Sequence, residues 1–540
     1  MIKQNIMTIL GVLLLSAPLL ACAGEPIGTP GKGSEKPNYI GAYLYTDRFE
    51  AAAKEQNREV FDLFDEHFKR LADAGVNCIH VTIVDPSLFD RYIALAKKHN
   101  IKILPELDFA YFRIHWSEEE VLANAKKATD FLKVWHAAPE VIAWSIKEEP
   151  YTEEIPKLDR YYRLIIQEVP DVKFFLVTSG GGWLTANAAD LPFALVGGDY
   201  YYFSWEQGTA DKCFTRAPRL ALAESRDTTA LYRRAAAKFP VDRIHVFGVA
   251  ACTIPDRAQG FATGATLPDS WTAEQKSAYM EKVKALAAKG QDGWAVYNDV
   301  PGKQGPQYTM WTLYMPPANC IRALMWGSIM EGAKVTMAFS YSPYSKSYNP
   351  ASPLDAIINY SHRTERFSMD LGGRPGVPDD HFNEFAATVK EVRCYDRILP
   401  NLTIQSSTPL KGEPGDDIFA RVFKMDGFNG QVLIVHNANV GYILCPDCKA
   451  AGKKSCEHVF IDDNGDLKHF NPQKKTNLAT LTLSDMTPQT AIYDVATGKA
   501  LPRKGGSFVT EIEPGGAAVL YVGDRDSATK LHELYMSAKK

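Results

Sequence analysis

VIAWSIKEEP, residues 141–150, is the stretch on which the reading of this chain turns. Its apolar, β-branched start is that of a buried parallel strand, and it ends abruptly in Glu148-Glu149-Pro150. A barrel strand delivers carboxylates to the rim in this way before it hands over to a helix. Two upstream stretches repeat the pattern. VNCIHVTIVDP (76–86) and IKILPELDF (101–109) run apolar and finish in acids, first Asp85 and then Glu106 with Asp108. Carboxylates converging on one barrel mouth are the equipment of glycoside hydrolysis.

Outward from these strands, apolar runs alternate with amphipathic helical segments, the pattern of a parallel α/β architecture. NYIGAYLYTD (38–47) is the first strand. In the helix that follows (58–74), Val60, Phe61, Phe64, Phe68 and Leu71 recur at helical spacing, and Gly75 stands where a helix ends. Further helices span 89–99 and 121–136. KFFLVTSGG (173–181), FALVGGDYYYF (193–203), RIHVFGVAAC (243–252) and AKVTMAFSYSP (333–343) supply strands five to eight, the last after a helix at 321–330. Eight strands with helices between them predict an α/β fold, a (β/α)8 TIM barrel over 38–400. A helix at 382–398 closes it, and the long connection at 253–319 falls on the catalytic face. Beyond Pro400, segments such as IFARVFKM, QVLIVHNAN and AAVLYVG alternate apolar and polar residues. They predict an antiparallel β-sandwich at 401–523 carrying a Cys/His-rich insertion, and then a polar tail at 524–540.

At 540 residues the chain exceeds one compact core, which fits two domains and a leader. A net charge of −4 with interspersed signs leaves no basic stripe, so nucleic acid is not an expected partner. Lys3, an apolar run to Leu20 and Ala21-Cys22-Ala23 form an export signal (1–23), too short for a transmembrane helix. Leu19-Leu20-Ala21-Cys22 has the form of a lipobox with Cys22 lipidated, while Ala21-Cys22-Ala23 also fits ordinary cleavage. Either route gives an extracytoplasmic protein, periplasmic or at the cell surface, behind a flexible tether at 24–37. A membrane is a partner only through that lipid.

Cys445, Cys448, Cys456 and His458 fall in one short run, with Cys-x-x-Cys spacing suited to a structural zinc. A disulfide plus a free thiol, usual in an exported chain, and three reduced inert thiols are the alternatives. No cofactor is expected for catalysis. Among the remaining candidates, Glu106 and Asp108 flank Leu107 and share a strand face. Asp199 ends strand six behind Gly197 and Gly198, which allow close approach, and Tyr200 follows it. Trp183 after a glycine cluster, Trp294 and Asp299 in the long loop, and Tyr341 after strand eight are candidate substrate contacts, with Trp144 and Glu148 on strand four.

Trp144 with Glu148-Glu149-Pro150, RLADAGVNCIHV (70–81) and IMEGAKVTMAFSYSP (329–343) together resemble the clan A glycoside hydrolases. The closing AIYDVATGKALPRKGGSFVTEIEPGGAAVLYVG (491–523) looks like the β-sandwich many of them append. The resemblance implies a glycosidase acting on an oligo- or polysaccharide, with Glu149 in the acid/base position. It also implies a Glu at the end of strand seven, where VFGVAACTIPD has none and Asp256 is the nearest acid. The partner carboxylate is then expected from Asp199 first and Glu106 second. The missing Glu also favours a rival reading, a non-catalytic glycan-binding surface protein on a hydrolase-like barrel.

Overall fold

A computed structural model describes residues 38–150, 154–178, 193–200, 242–248, 318–339, 380–405, 418–438, 477–481, 491–504 and 507–539, together with a few isolated residues between them. Its centre is a parallel sheet of seven strands. These are β1 (Tyr39–Leu44), β2 (Cys78–Thr82), β3 (Lys102–Glu106), β4 (Phe174–Thr178), β5 (Phe193–Tyr200), β8 (Asp242–Gly248) and β9 (Val335–Phe339). The short strands β6 (Trp205–Glu206) and β7 (Phe214–Thr215) pair with each other.

The sheet runs in the order β3-β2-β1-β9-β8-β5-β4, which leaves β3 and β4 as its edges. Residues 141–145 lie between those edges and bridge both in parallel, Val141 to Ile103 and Ser145 to Glu106 on one side, Trp144 to Phe174 on the other. Ser145 N–H donates to Pro105 O at 2.9 Å and Phe175 N–H to Trp144 O at 2.9 Å. The eighth segment therefore closes the sheet into the expected barrel. It does so through isolated bridges rather than a regular ladder, and those bridges stop at Ser145, short of Pro150.

Period-two alternation fills the interior. Tyr43, Cys78, Leu104, Ala143, Phe175, Val177, Leu195, Ile244, Val246, Val335 and Met337 form one buried cluster inside the barrel. Their outward neighbours Ile79, Val81, Ile103 and Trp144 belong to a second cluster shared with the helices. Gly197 is required by the approach of β8, since a Cβ there would lie 1.6 Å from Ile244 O.

The barrel helices are α1 (Thr46–Glu55), α2 (Val60–Asp73), α3 (Phe89–His99), α4 (Glu118–Trp135), α5 (Ile155–Glu168), α6 (Ala318–Met330) and α7 (Asp380–Arg393). α2 buries Phe61, Leu63, Phe64, Phe68 and Leu71, and Gly75 (φ +88°) follows it in the left-handed conformation that only glycine adopts freely. α4 opens on a capping box, with Ser117 accepting from Glu120 N–H and Glu120 accepting from Ser117 N–H. α1 differs from the sequence reading, which ran the first strand on to Asp47. The strand stops at Leu44, because Thr46 turns its hydroxyl back onto Thr82 O and starts a helix that buries Phe49, Ala52 and Ala53.

After the barrel comes a five-stranded antiparallel sheet in the order β10-β11-β12-β17-β14 and a three-stranded one, β13-β16-β15. The strands are β10 (Leu402–Ile404), β11 (Ile418–Met425), β12 (Gln431–Asn437), β13 (Asn477–Leu481), β14 (Ile492–Asp494), β15 (Arg503–Lys504), β16 (Ser507–Ile512) and β17 (Ala517–Val522). Leu433, Val435, Leu520 and Ile492 pack on Phe508 and Ile512, which makes the two sheets a sandwich. The opposite face of the larger sheet, with Phe423, Val432, Ile434 and Val519, joins the core around α6 and α7. β12 is consequently buried on both faces, although its alternation suggested one wet side. The closing residues form α8 (Arg525–Lys539), seated by buried Ala528 and Leu531 and by Tyr535 against Tyr395. No helix among the described residues is long and apolar enough to cross a membrane.

Candidate active site

The C-terminal ends of three adjacent strands and the closing segment converge on one group of side chains. Tyr43 of β1 stands in register with His80 of β2, and their rings stack at 4.0 Å with 15° between planes. Glu106 is the last residue of β3, two positions beyond the inward Leu104. Glu148 follows the closing segment and reaches back over these strands. One ligand-capable atom from each of His80, Glu106 and Glu148 lies within 4.8 Å of the others.

Tyrosines hold Glu148 at both its ends. Tyr43 O–H donates to Glu148 Oε1 at 2.9 Å. Tyr111, in the loop after β3, accepts from Glu148 N–H at 2.9 Å and donates to Glu148 O at 3.3 Å. His80 Nε2 stands 3.7 Å from Glu148 Oε1. The His80 ring is fully buried, and among the described residues neither of its nitrogens has a hydrogen-bond partner.

Burial sets the protonation of this group. It pushes the Glu148 carboxyl up to about 7, against the pull of the Tyr43 hydroxyl and with help from the charge on Glu149. Burial first, then Glu148 and Asp108, holds Glu106 well above the usual carboxylate range, although Arg113 and Lys147 oppose the rise. Two carboxyls so close cannot both ionise cheaply, so the pair retains a proton that neither residue owns alone. Burial lowers His80 to about 3, which leaves its imidazole neutral. The Tyr111 hydroxyl is raised by burial and by Glu106 and Glu148, and it stays protonated.

Of the residues singled out from sequence, Glu106 and Glu148 are brought together. Glu149 is not in the cluster. It adopts a left-handed φ of +44°, its N–H donates to Val177 O at 2.9 Å, and the residue after it is Pro150. A non-glycine residue in that conformation is uncommon, and proline disfavours helical φ/ψ before it, so the turn is strained. The strain ends the alternation of the strand, and Glu148 rather than Glu149 faces His80 and Glu106. Asp108 stands at the rim, with Arg113 at 3.8 Å.

Two expected substrate contacts lie elsewhere. Trp144 is 1% exposed and packs its indole on Phe89 and Phe131, outside the barrel, because its inward neighbour is Ala143. Tyr341 is also wholly buried, bonded through its hydroxyl to His67 Nδ1 under α2. The backbone of Asp199 ends β5 in register with Val246, and Tyr200 with Phe247; the side chains of both fall outside the described residues. Trp183, Trp294, Asp299, Cys445, Cys448, Cys456, His458 and Cys22 also lie outside the described residues.

His80, Tyr43 and Tyr111 were not singled out from the sequence. A signal for the first was present, since a lone histidine at even spacing from Cys78 in an apolar strand shares its inward face. Tyr43 gave a similar cue. Tyr111 sits in a loop, and nothing in the sequence ties its hydroxyl to a backbone 37 residues away.

No family model matches this sequence, and no curated protein does. Solved structures similar to the chain include a glycoside hydrolase family 5 from Bacteroides vulgatus ATCC 8482, at 13% identity over 90% of each chain with a TM-score of 0.49. An α-amylase from Anoxybacillus has 10% identity, covers 91% of this chain and 99% of its own, and has a TM-score of 0.47. A family 39 glycoside hydrolase from Bacteroides cellulosilyticus WH2 has 13% identity, 91% and 81% coverage, and a TM-score of 0.40.

Proposed function

We propose that this chain is a glycoside hydrolase in which Glu148 and Glu106 form the working carboxylate pair, with an oligo- or polysaccharide as substrate. The observation that carries the reading is the juxtaposition of buried Glu106 with half-buried Glu148 at the C-terminal mouth of a (β/α)8 barrel, the face on which such barrels do their chemistry. One of the pair must give a proton to the leaving oxygen, and the other must meet the developing positive charge of the sugar ring. Glu148 is the better donor. Its position is fixed by Tyr43 and Tyr111, and the proton that the pair retains keeps an acid form present near neutrality.

One oxygen of each carboxyl comes within 4.8 Å of the other, a nearest approach that fits the closer, retaining arrangement. Retaining enzymes separate their carboxyls by about 5–5.5 Å, whereas inverting ones need about 6.5–9.5 Å to admit a water. The test is a panel of aryl glycosides. On a substrate that wild type cleaves, Glu148→Gln and Glu106→Gln should each lose on the order of 10²–10⁴-fold in turnover, while the product keeps the anomeric configuration of the substrate in wild type. Undiminished activity in a folded Glu148→Gln protein rules the reading out. Binding of oligosaccharides with no cleavage of any substrate favours the glycan-binding alternative instead.

A further inference from the structure

We propose that His80, Glu106 and Glu148 also form a binding site for a borderline divalent cation of the zinc, cobalt or nickel class. Occupancy of that site would block glycoside cleavage, an inhibition that rests on the function proposed above. Three observations converge. The donor set is one imidazole and two carboxylates, with one atom of each within 4.8 Å of the others. His80 is 0% exposed, both its nitrogens lack hydrogen-bond partners among the described residues, and Nε2 stands 3.7 Å from Glu148 Oε1. His80 and Glu106 hang from strands β2 and β3 of the barrel, and Glu148, just beyond the closing segment, is fixed through its backbone by Tyr111 and through its carboxyl by Tyr43, so all three donors are already held in place.

Distances suit a small ion. Ligands about 2.0–2.2 Å from a tetrahedral metal stand roughly 3.5 Å apart, so the 3.7 Å between Nε2 and Oε1 needs almost no adjustment. Two carboxylates this close repel each other, which is why the pair holds a proton; a divalent cation displaces that proton and cancels the charge. An orphaned imidazole nitrogen gains the partner it lacks. Imidazole with carboxylate favours zinc, cobalt or nickel over magnesium and calcium, which prefer oxygen alone. Three protein ligands leave a fourth position open. An ion seated there holds the lone pairs of Glu106 and Glu148, and neither group can then serve a sugar.

The experiment uses the full chain carrying Cys448→Ser, so that the thiol-rich run does not compete for metal. The protein is stripped with a chelator and titrated with cobalt(II), followed by calorimetry and visible absorption. We expect one cobalt per chain, with weak d–d bands and no intense thiolate charge-transfer band. Glu106→Gln and Glu148→Gln preserve side-chain shape and are checked for folding by circular dichroism. Each should weaken binding at least about 10-fold, as loss of even an outer partner commonly does. His80→Gln should do the same. If the folded, stripped protein takes up no cobalt, or if folded variants bind it as tightly, the site is refuted.

Activity is read separately. Cobalt should abolish cleavage of an aryl glycoside, and chelator should restore it. Cobalt bound at these residues with no glycoside cleaved under any condition overturns the hydrolase reading and leaves the metal site standing. Cleavage that persists with cobalt bound refutes the inhibitory role, and cleavage without any cobalt binding refutes the site alone.

Discussion

Tyr111→Phe removes a single oxygen from the site. That oxygen accepts the Glu148 N–H at 2.9 Å, a good hydrogen bond, and donates to Glu148 O at 3.3 Å, a long one for a hydroxyl. The dominant loss is the first. A buried N–H left without an acceptor costs about 1–3 kcal/mol, and the second bond adds little. The ring itself remains, so its packing is unchanged and no cavity forms. The penalty falls on the backbone immediately before the left-handed Glu149, where the strained turn is held by this bond, by Glu149 N–H to Val177 O and by the proline that follows. Freed of Tyr111, the turn relaxes and the Glu148 carboxyl drifts from Glu106. A misplacement of about 1 Å costs as much as 10²-fold in rate. Urea unfolding followed by tryptophan fluorescence should report a barrel weaker by about 1–3 kcal/mol. Turnover of an aryl glycoside should fall on the order of 10–100-fold, with KM little changed. A Tyr111→Phe protein with wild-type stability and wild-type turnover would show that the hydroxyl does not hold the turn.

Gly197→Ala should cost at least about 1–3 kcal/mol through overpacking, since its Cβ would stand 1.6 Å from Ile244 O and β5 must part from β8; an unchanged thermal midpoint contradicts that register. His67, buried beside Arg70 and bonded to Tyr341, is lowered from 6.5 to about 4 by burial. Its folded value lies below its unfolded one, so the unfolded chain binds the extra proton and stability falls as pH drops from about 6.5 toward 4. The difference, 6.5 less about 4, amounts to on the order of 3 kcal/mol. Wild type should lose that much relative to His67→Gln between pH 7.5 and pH 4 in urea titrations (about the window set by those two values), and parallel curves contradict the assignment. Cys22→Ser should move the protein from the membrane fraction to the soluble one, and a wild-type protein already soluble with Gly24 at its N-terminus removes the lipid anchor.

The barrel was legible because its evidence is repeated. Apolar runs ending in acids and helices with Phe61, Phe64, Phe68 and Leu71 on one face recur along the chain, and hydropathy alone reports them. The convergence of carboxylates on one mouth was legible for the same reason. Which of Glu148 and Glu149 faces His80 and Glu106 turns on one left-handed backbone angle, and hydropathy carries no information about it. Trp144 could have been read correctly, since Ala143 and Trp144 must face opposite ways and a tryptophan fits the helix-facing layer better than the crowded interior. Tyr341 misled because β9 ends at Phe339, after which alternation no longer holds, and its ring turned to His67 on α2. Those partners stand 274 residues apart, a distance no local pattern spans.

The central claim is that Glu148 passes a proton to the leaving oxygen while Glu106 faces it across the site. The measurement closest to that claim is the turnover of wild type and Glu148→Gln across aryl glycosides of graded leaving-group acidity. A poor leaving group needs the proton and a good one does not. The variant should therefore lose on the order of 10²–10⁴-fold on the poorest leaving groups and approach wild-type rates on the most acidic. An equal loss at every leaving group, or no loss at any, would contradict the account.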